Sequence, residues 1–330
     1  MSEGTAADAA PGSAGSAQDG AARVSERVRA LLGLADRADI VVERLLSDGY
    51  TNRNHLVRVA RERVVVRLGN PEAARLGIDR VREARIWGAA TRAGLGPSLL
   101  AFDPATGDAV SRYVELPSAA DPAASAPAGT RLSPSALARI AAALRRVHAM
   151  VVDAAPQGSV QGPMHVPLQG PLQGPLQGVE RHLALGVAAG VAWPDWVEPL
   201  FARVRARCPP PPLPCLTHHD FNPWNLLWPI EGDVQVLDWE YAAPGDPMFD
   251  VVTVFAHWGL DASERALLLD TYGADASARL RLPDLELLFH LREFTWAGAM
   301  AALGDTNPDV QAQHVREAAW LQAHSGQVPG

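Results

Sequence analysis

The sequence predicts an α+β protein: a small antiparallel sheet carrying one helix, followed by a larger and mainly helical part. Two observations lead to this. Three Val- and Ile-rich runs, IVVERLL (40–46), HLVRVA (55–60) and RVVVRL (63–68), follow one another across short polar turns, the pattern of a β-meander. Beyond about residue 131, apolar residues recur mostly at helical spacing, as in Leu137, Ile140, Ala141, Leu144 and Val147.

Taken in order, residues 1–22 are rich in Ala, Gly and Ser with no basic residue before Arg23, and read as a disordered tail without the charged start and apolar core of a signal peptide. Val24, Val28, Leu31 and Leu32 mark a short first helix. The turn at 47–54 contains Gly49 and Asn52. A helix over 79–93 ends at Gly94, and 98–102 and 109–114 flank the hairpin signature DPATGD. The small N-terminal part is expected to span 23–116, and the larger part 117–330. Residues 117–129 are Pro, Ala and Ser with little to bury. PLQG occurs three times in succession at 167–178, and the whole stretch 156–178 reads as a surface loop, because Pro and Gly at a period of four sustain neither helix nor central strand. Further helices are expected at 179–189, 196–207, 262–272 and 284–303, and a hairpin at 225–228 and 234–238.

Composition narrows the function classes. The 330 residues carry 29 basic and 37 acidic side chains, a formal charge of −8, which argues against nucleic acid as the main partner. All the basic residues are arginine. No run of about 18 apolar residues exists to span a bilayer, so a cytoplasmic protein is expected. Cys208 and Cys215 flank a proline run (CPPPPLPC) and are expected as free thiols.

The chemistry concentrates in LTHHDFNPWNLLWPIEGDVQVLDWEYAAPGDPMFD, residues 216–250. Phosphoryl transfer from ATP needs a carboxylate beside the acceptor hydroxyl, oxygen ligands for Mg2+ against the triphosphate, and a cation on the phosphates held by a helical carboxylate. The run from His218 to Asn225 has the form H-x-D-x-x-x-x-N, a loop ending where a strand begins. Asp220 is the candidate base and Asn225 a candidate metal ligand. Asp238 closes the second strand of the hairpin, which returns it toward Asn225 as the main metal carboxylate. Upstream, Arg67 on a strand and Glu83 on the next helix have the order of the ion pair that positions ATP phosphates, and Gly49 and Asn52 are candidate nucleotide contacts.

VVVRL, IDRVREARIW, LRRVHA, THHDFNPWN and LDWEYAAPGDPMFDV together resemble the aminoglycoside phosphotransferase and choline kinase superfamily, with particular likeness to bacterial choline/ethanolamine kinases and to thiamine kinases. The likeness covers about 40–303. It implies a bilobal, protein-kinase-like fold binding ATP and Mg2+, with His218 and Asp250 supporting the catalytic loop. LDWEY resembles the choline kinase pattern in which the residues after the metal aspartate border the acceptor pocket. Glu240, Tyr241 and Trp296, with Trp258 as a further aromatic, are therefore candidates for a cationic small-molecule alcohol, since a quaternary ammonium is recognised by aromatic faces and nearby carboxylates. Choline kinases commonly carry a second aromatic where this chain has Ala299. A thiamine or aminoglycoside phosphotransferase is the alternative enzyme. An aminoglycoside would call for a convergent array from Asp284, Glu286, Glu293, Asp305 and Asp309. A catalytically silent, kinase-shaped binding protein is the alternative of another class.

Overall fold

The structure is a computed structural model and describes residues 13–48, 51–116, 131–152, 174–209, 214–229 and 232–324. It has two compact units, one formed by Met1–Asn70 with Leu99–Tyr113, the other by Pro71–Ser98 with Val114–Gly330.

The first unit begins with helix α1 (Ser13–Leu32) and continues as strands β1 (Ile40–Asp48), β2 (Asn52–Val59) and β3 (Glu62–Gly69). The expected tail at 1–22 is corrected here: the Ala-rich segment from Ser13 already belongs to α1, in keeping with alanine's high helix propensity. The helix lays Val24 and Val28 against Val57, Val64, Val66 and Val110 of the sheet, so β-branched residues fill one buried face.

Residues 71–98 fold with the second unit rather than with the sheet. They form a 3-10 turn (Pro71–Leu76) and helix α2 (Arg80–Arg92), capped by Asp79, whose side chain accepts from the amides of Val81 and Arg82. The expectation that 23–116 forms one unit is therefore corrected, and the reason is local bonding. Leu95 O accepts from Val236 N at 2.7 Å, and Arg146 Nη2 donates to Ala93 O at 2.8 Å. A Cβ at Gly96 would lie 2.6 Å from Val236 O, so only glycine permits the approach. Strands β4 (Leu99–Asp103) and β5 (Asp108–Arg112) return to the first unit and complete an antiparallel five-stranded sheet of order β1-β2-β3-β5-β4.

The second unit continues with α3 (Pro134–His148), α4 (Pro175–Ala188) and α5 (Val197–Arg207). Helix α4 begins inside the last PLQG, correcting the expected loop over 174–178. Pro175 occupies the first turn, where a missing N–H costs nothing, and Gln177 Oε1 accepts from Gly174 N at 3.0 Å. The first two PLQG copies lie largely outside the described residues. Short strands β6 (Cys215–Thr217), β7 (Leu226–Leu227), β8 (Gln235–Val236) and β9 (Ala243–Gly245) follow, pairing β6 with β9 and β7 with β8.

The chain ends in α6 (Pro247–Trp258), α7 (Ala262–Tyr272), α8 (Ala276–Leu280), α9 (Leu282–Ala302) and α10 (Pro308–His324). Sequence periodicity misses α6 because it is buried nearly all round, so PMFDVVTVFAHW shows no polar face from which to read a helical repeat. Among the described residues no helix is long and apolar enough to cross a membrane. Cys208 and Cys215 are free, and burial raises both thiols, to about 12 and about 11.

Candidate active site

Strand β6 delivers the chain into the loop that carries Asp220, and one buried carboxylate shapes that loop. Asp250, in the first turn of α6, accepts from His218 N through Oδ2 and from His219 N through Oδ1, each at 2.8 Å. His148 Nε2, at the end of α3, lies 3.0 Å from Asp250 Oδ2, and its Nδ1 meets the Tyr272 hydroxyl at 2.8 Å. A carboxylate only accepts, so Nε2 bears the proton. Burial by itself would raise the Asp250 carboxyl, but the His148 bond and the neighbouring histidines outweigh it and hold the group below its ordinary range.

The two loop histidines are structural. His218 is fully buried, and its Nε2 donates to Leu237 O at 2.9 Å. His219 adopts a left-handed backbone (φ 62°), and its Nδ1 donates to Tyr241 O at 3.1 Å. A Cβ at Gly245 would come 2.4 Å from His219 Nε2, which explains a glycine at the end of β9. Burial pushes both imidazoles down, His219 to about 4, so they are neutral near pH 7.

Within this frame Asp220 is half-buried and gripped from its own loop. Asn222 Nδ2 donates to Asp220 Oδ1 at 2.9 Å, and Asn225 Nδ2 donates to Oδ2 at 2.8 Å. Asn222 Oδ1 in turn caps the 3-10 turn Pro223–Asn225 by accepting from Trp224 N and Asn225 N. The β7–β8 hairpin then brings the chain back: Leu237 N donates to Asn225 O at 2.8 Å. Leu237 is thus tied to Asn225 by its amide and to His218 by its carbonyl, and Asp238 follows directly. Asp220 and Asn225 are thus bonded to each other, and Asp238 adjoins the residue whose amide is bonded to Asn225 O. Asp238 has φ 59°, a backbone that L residues rarely adopt.

Asp238 also belongs to an acidic cluster. Ligand oxygens of Glu83, Asp238 and Glu240 all lie within 4.8 Å of one another. Arg80 Nη1 bonds Glu83 Oε2 at 2.8 Å and Glu240 Oε2 at 2.9 Å. Hard oxygen donors in this number suit a divalent cation such as Mg2+.

In the sheet unit, Arg67 on β3 is buried, donates from Nε to Gly107 O at 3.1 Å, and lies over the Phe102 ring at 5.2 Å from its centroid. Asn52 is buried at the start of β2, opposite Gly69, with its Nδ2 donating to Thr51 Oγ1 at 3.2 Å. Gly49 lies outside the described residues.

The acceptor candidates fare unevenly. Tyr241 is half-buried with the Arg292 guanidinium 5.1 Å from its ring centroid, so a protein cation already occupies one aromatic face. Burial, with Glu240 adding to it, raises its hydroxyl well above the ordinary range. Trp296 is half-buried on α9, one turn beyond Arg292 and on the same side of the helix. Trp258 is only 2% exposed and is a core residue, correcting its reading as an available aromatic. Ala299 is likewise fully buried. Of the acids considered for a polyamine, Asp284 pairs with Arg207, Glu286 with Arg265, and Asp305 caps its own turn through Asn307 N.

Four contributors carry little or no mark in the sequence. His148 has no more signal than its place in LRRVHA. Arg80 and Arg292, whose Nη1 donates to His219 O at 2.9 Å, look like surface arginines until their partners are seen. Trp224 is 68% exposed inside the loop, edge-on to His257 at 5.6 Å; a tryptophan within the polar loop beside Asp220 is its one readable clue.

Residues 42–283 match the phosphotransferase enzyme family (APH). No curated protein matches the chain. Among solved structures, a choline/ethanolamine kinase family protein from Mesorhizobium loti is 22% identical, with 91% of this chain and 94% of that one covered and a TM-score of 0.60. The choline kinase LicA from Streptococcus pneumoniae, also solved in complex with AMP, is 17% identical over 92% and 98% with a TM-score of 0.67. A putative aminoglycoside phosphotransferase from Ralstonia eutropha is 17% identical over 90% and 94% with a TM-score of 0.57. At these identities the likeness establishes the fold, an antiparallel-sheet unit followed by a mainly helical one. With the family match spanning most of its length, this chain belongs to the phosphotransferase enzyme family.

Proposed function

We propose that the protein transfers the γ-phosphoryl group of ATP to the hydroxyl of a small amino alcohol of the choline or ethanolamine kind. One observation carries this reading: Asp220 and Asn225 are joined at 2.8 Å in a loop whose backbone is clamped by Asp250, and the hairpin ties Leu237, next to Asp238, to Asn225 O. Asp220 accepts the proton of the acceptor hydroxyl as the oxygen attacks, and its grip by two amide side chains keeps it oriented for that task. Asn225 and Asp238 would hold Mg2+, which would supply positive charge against the triphosphate. Arg67 binds the phosphates with Asn52, and Glu240, Tyr241 and Trp296 border the acceptor. His218 and Asp250 keep the loop in shape.

Between acceptors, the engagement of Asp284 and Glu286 by arginines favours a ligand with one positive charge over a polyamine aminoglycoside. The test is an ADP-release assay with ATP and Mg2+ over choline, ethanolamine, thiamine, homoserine and aminoglycosides. Turnover is expected on choline or ethanolamine. Turnover confined to aminoglycosides or thiamine would overturn the acceptor class, and nucleotide binding without any turnover would point to the silent binding protein.

A further inference from the structure

Arg80 sits at the first position of α2, where the positive end of the helix dipole disfavours a cation. Helix stability therefore does not account for it. Its partners do: one nitrogen, Nη1, lies at charge-assisted distance from both Glu83 Oε2 and Glu240 Oε2. The side chains of Arg80, Glu83 and Glu240 are 10%, 0% and 3% exposed, so water screens this contact little. Both carboxylates share the acidic cluster with Asp238.

We propose that Arg80 is the built-in counter-cation of this cluster, a positioning residue that holds α2 and the segment carrying Asp238 together. In doing so it takes up the charge of Glu240, leaving the acceptor's ammonium to aromatic faces rather than to that carboxylate. Three carboxylates facing one another would spread apart, and the arginine offsets one of the three charges at the point where two of them meet. The consequence for transfer is indirect. Asp238 stays beside Asn225 because its acidic neighbours are tethered. The acceptor part of this inference rests on the function proposed above; the tethering part does not.

The experiment uses the full chain and three variants, Arg80→Met, Arg80→Lys and the double variant Arg80→Met/Glu240→Gln. The double variant removes one positive and one negative charge together, so the net formal charge stays that of the native protein. Arg80→Met is expected to lower kcat about a hundredfold, the scale of a small misplacement at a reacting centre, while the acceptor KM moves less than about threefold. Arg80→Lys keeps the charge without the fork and is expected to recover part of the loss. The double variant is expected to regain at least about tenfold over Arg80→Met, a non-additivity that simple loss of packing would not produce.

A double variant no better than Arg80→Met would overturn the proposal, as would a loss expressed mainly in the acceptor KM. If Arg80→Met does not fold, an active, folded double variant supports the tether and an unfolded one refutes it. Calorimetric affinity for Mg2+ with a non-hydrolysable ATP analogue needs no acceptor and is expected to fall and recover across the same set. Should the native protein phosphorylate none of the acceptors, that measurement still decides on Arg80, and only the proposed function fails.

Discussion

Two groups of acids in the second unit are built on opposite principles. Asp250 is a single carboxylate with a full set of donors: two backbone amides and a histidine. Glu83, Asp238 and Glu240 are three carboxylates within 4.8 Å of one another, two of them bridged by Arg80. The first arrangement stabilises the fold, because every lone pair that matters is used. The second sets like charges against one another at close range, as expected where a divalent ion is to be held. A carboxylate's role here is read from its partners rather than from its burial.

This contrast can be broken experimentally. Asp220→Ala is expected to lower kcat by about 10³-fold or more, the upper range for loss of a positioned base, with nucleotide affinity nearly unchanged. Equal activity in that variant, measured by ADP release, would remove Asp220 from its role. Asp238→Asn is expected to lower turnover by about 10²-fold yet leave the fold as stable as before, or about 1 kcal/mol more stable, because it relieves like-charge repulsion. A urea titration showing marked destabilisation would erase the distinction between the two acid groups.

Asp250→Ala should do the reverse. Two buried amides and His148 lose their acceptor, so unfolding free energy is expected to fall by about 3–5 kcal/mol. Activity should fall only as far as the His218–Asp220 loop loosens. A smaller effect follows from pH. His219 is pushed from an ordinary 6.5 to about 4 by burial, and His257 likewise to about 4. The unfolded chain binds more protons than the folded one between these values, so stability is complete above about 6.5 and declines as pH falls toward 4. The lowered Asp250 carboxyl has the same sign, losing its contribution as pH falls through its folded value. Thermal melts across this window, repeated on His219→Gln, should show a shallower acid limb in the variant. Trp224→Ala is expected to be the mildest change, raising the acceptor KM about three- to tenfold if the exposed indole meets the ammonium.

Much of this site is legible in the amino-acid sequence. The distance from His218 to Asn225 and the turn between β7 and β8 are short-range features, and local chain geometry alone brings Asn225 and Asp238 to adjoining ends of one hairpin. The meander of β1, β2 and β3 is equally plain, because alternating β-branched residues separated by tight turns admit few other arrangements. Helix α6 is not readable, since a helix buried on all sides has no amphipathic period.

Partner choice is the part that sequence withholds. In a chain whose every basic residue is arginine, Arg80 and Arg292 have no mark separating them from the arginines of surface pairs. His148 meets Asp250 across 102 positions and Arg80 meets Glu240 across 160. The sequence by itself determined the spacing of the candidate residues around Asp220 and the order of strands and helices, because these depend on spacing and periodicity within a few turns of chain. Tertiary structure alone decided which acid braces, which acids crowd together and which cation holds them, because burial and charge pairing are properties of neighbours that the chain brings together only on folding.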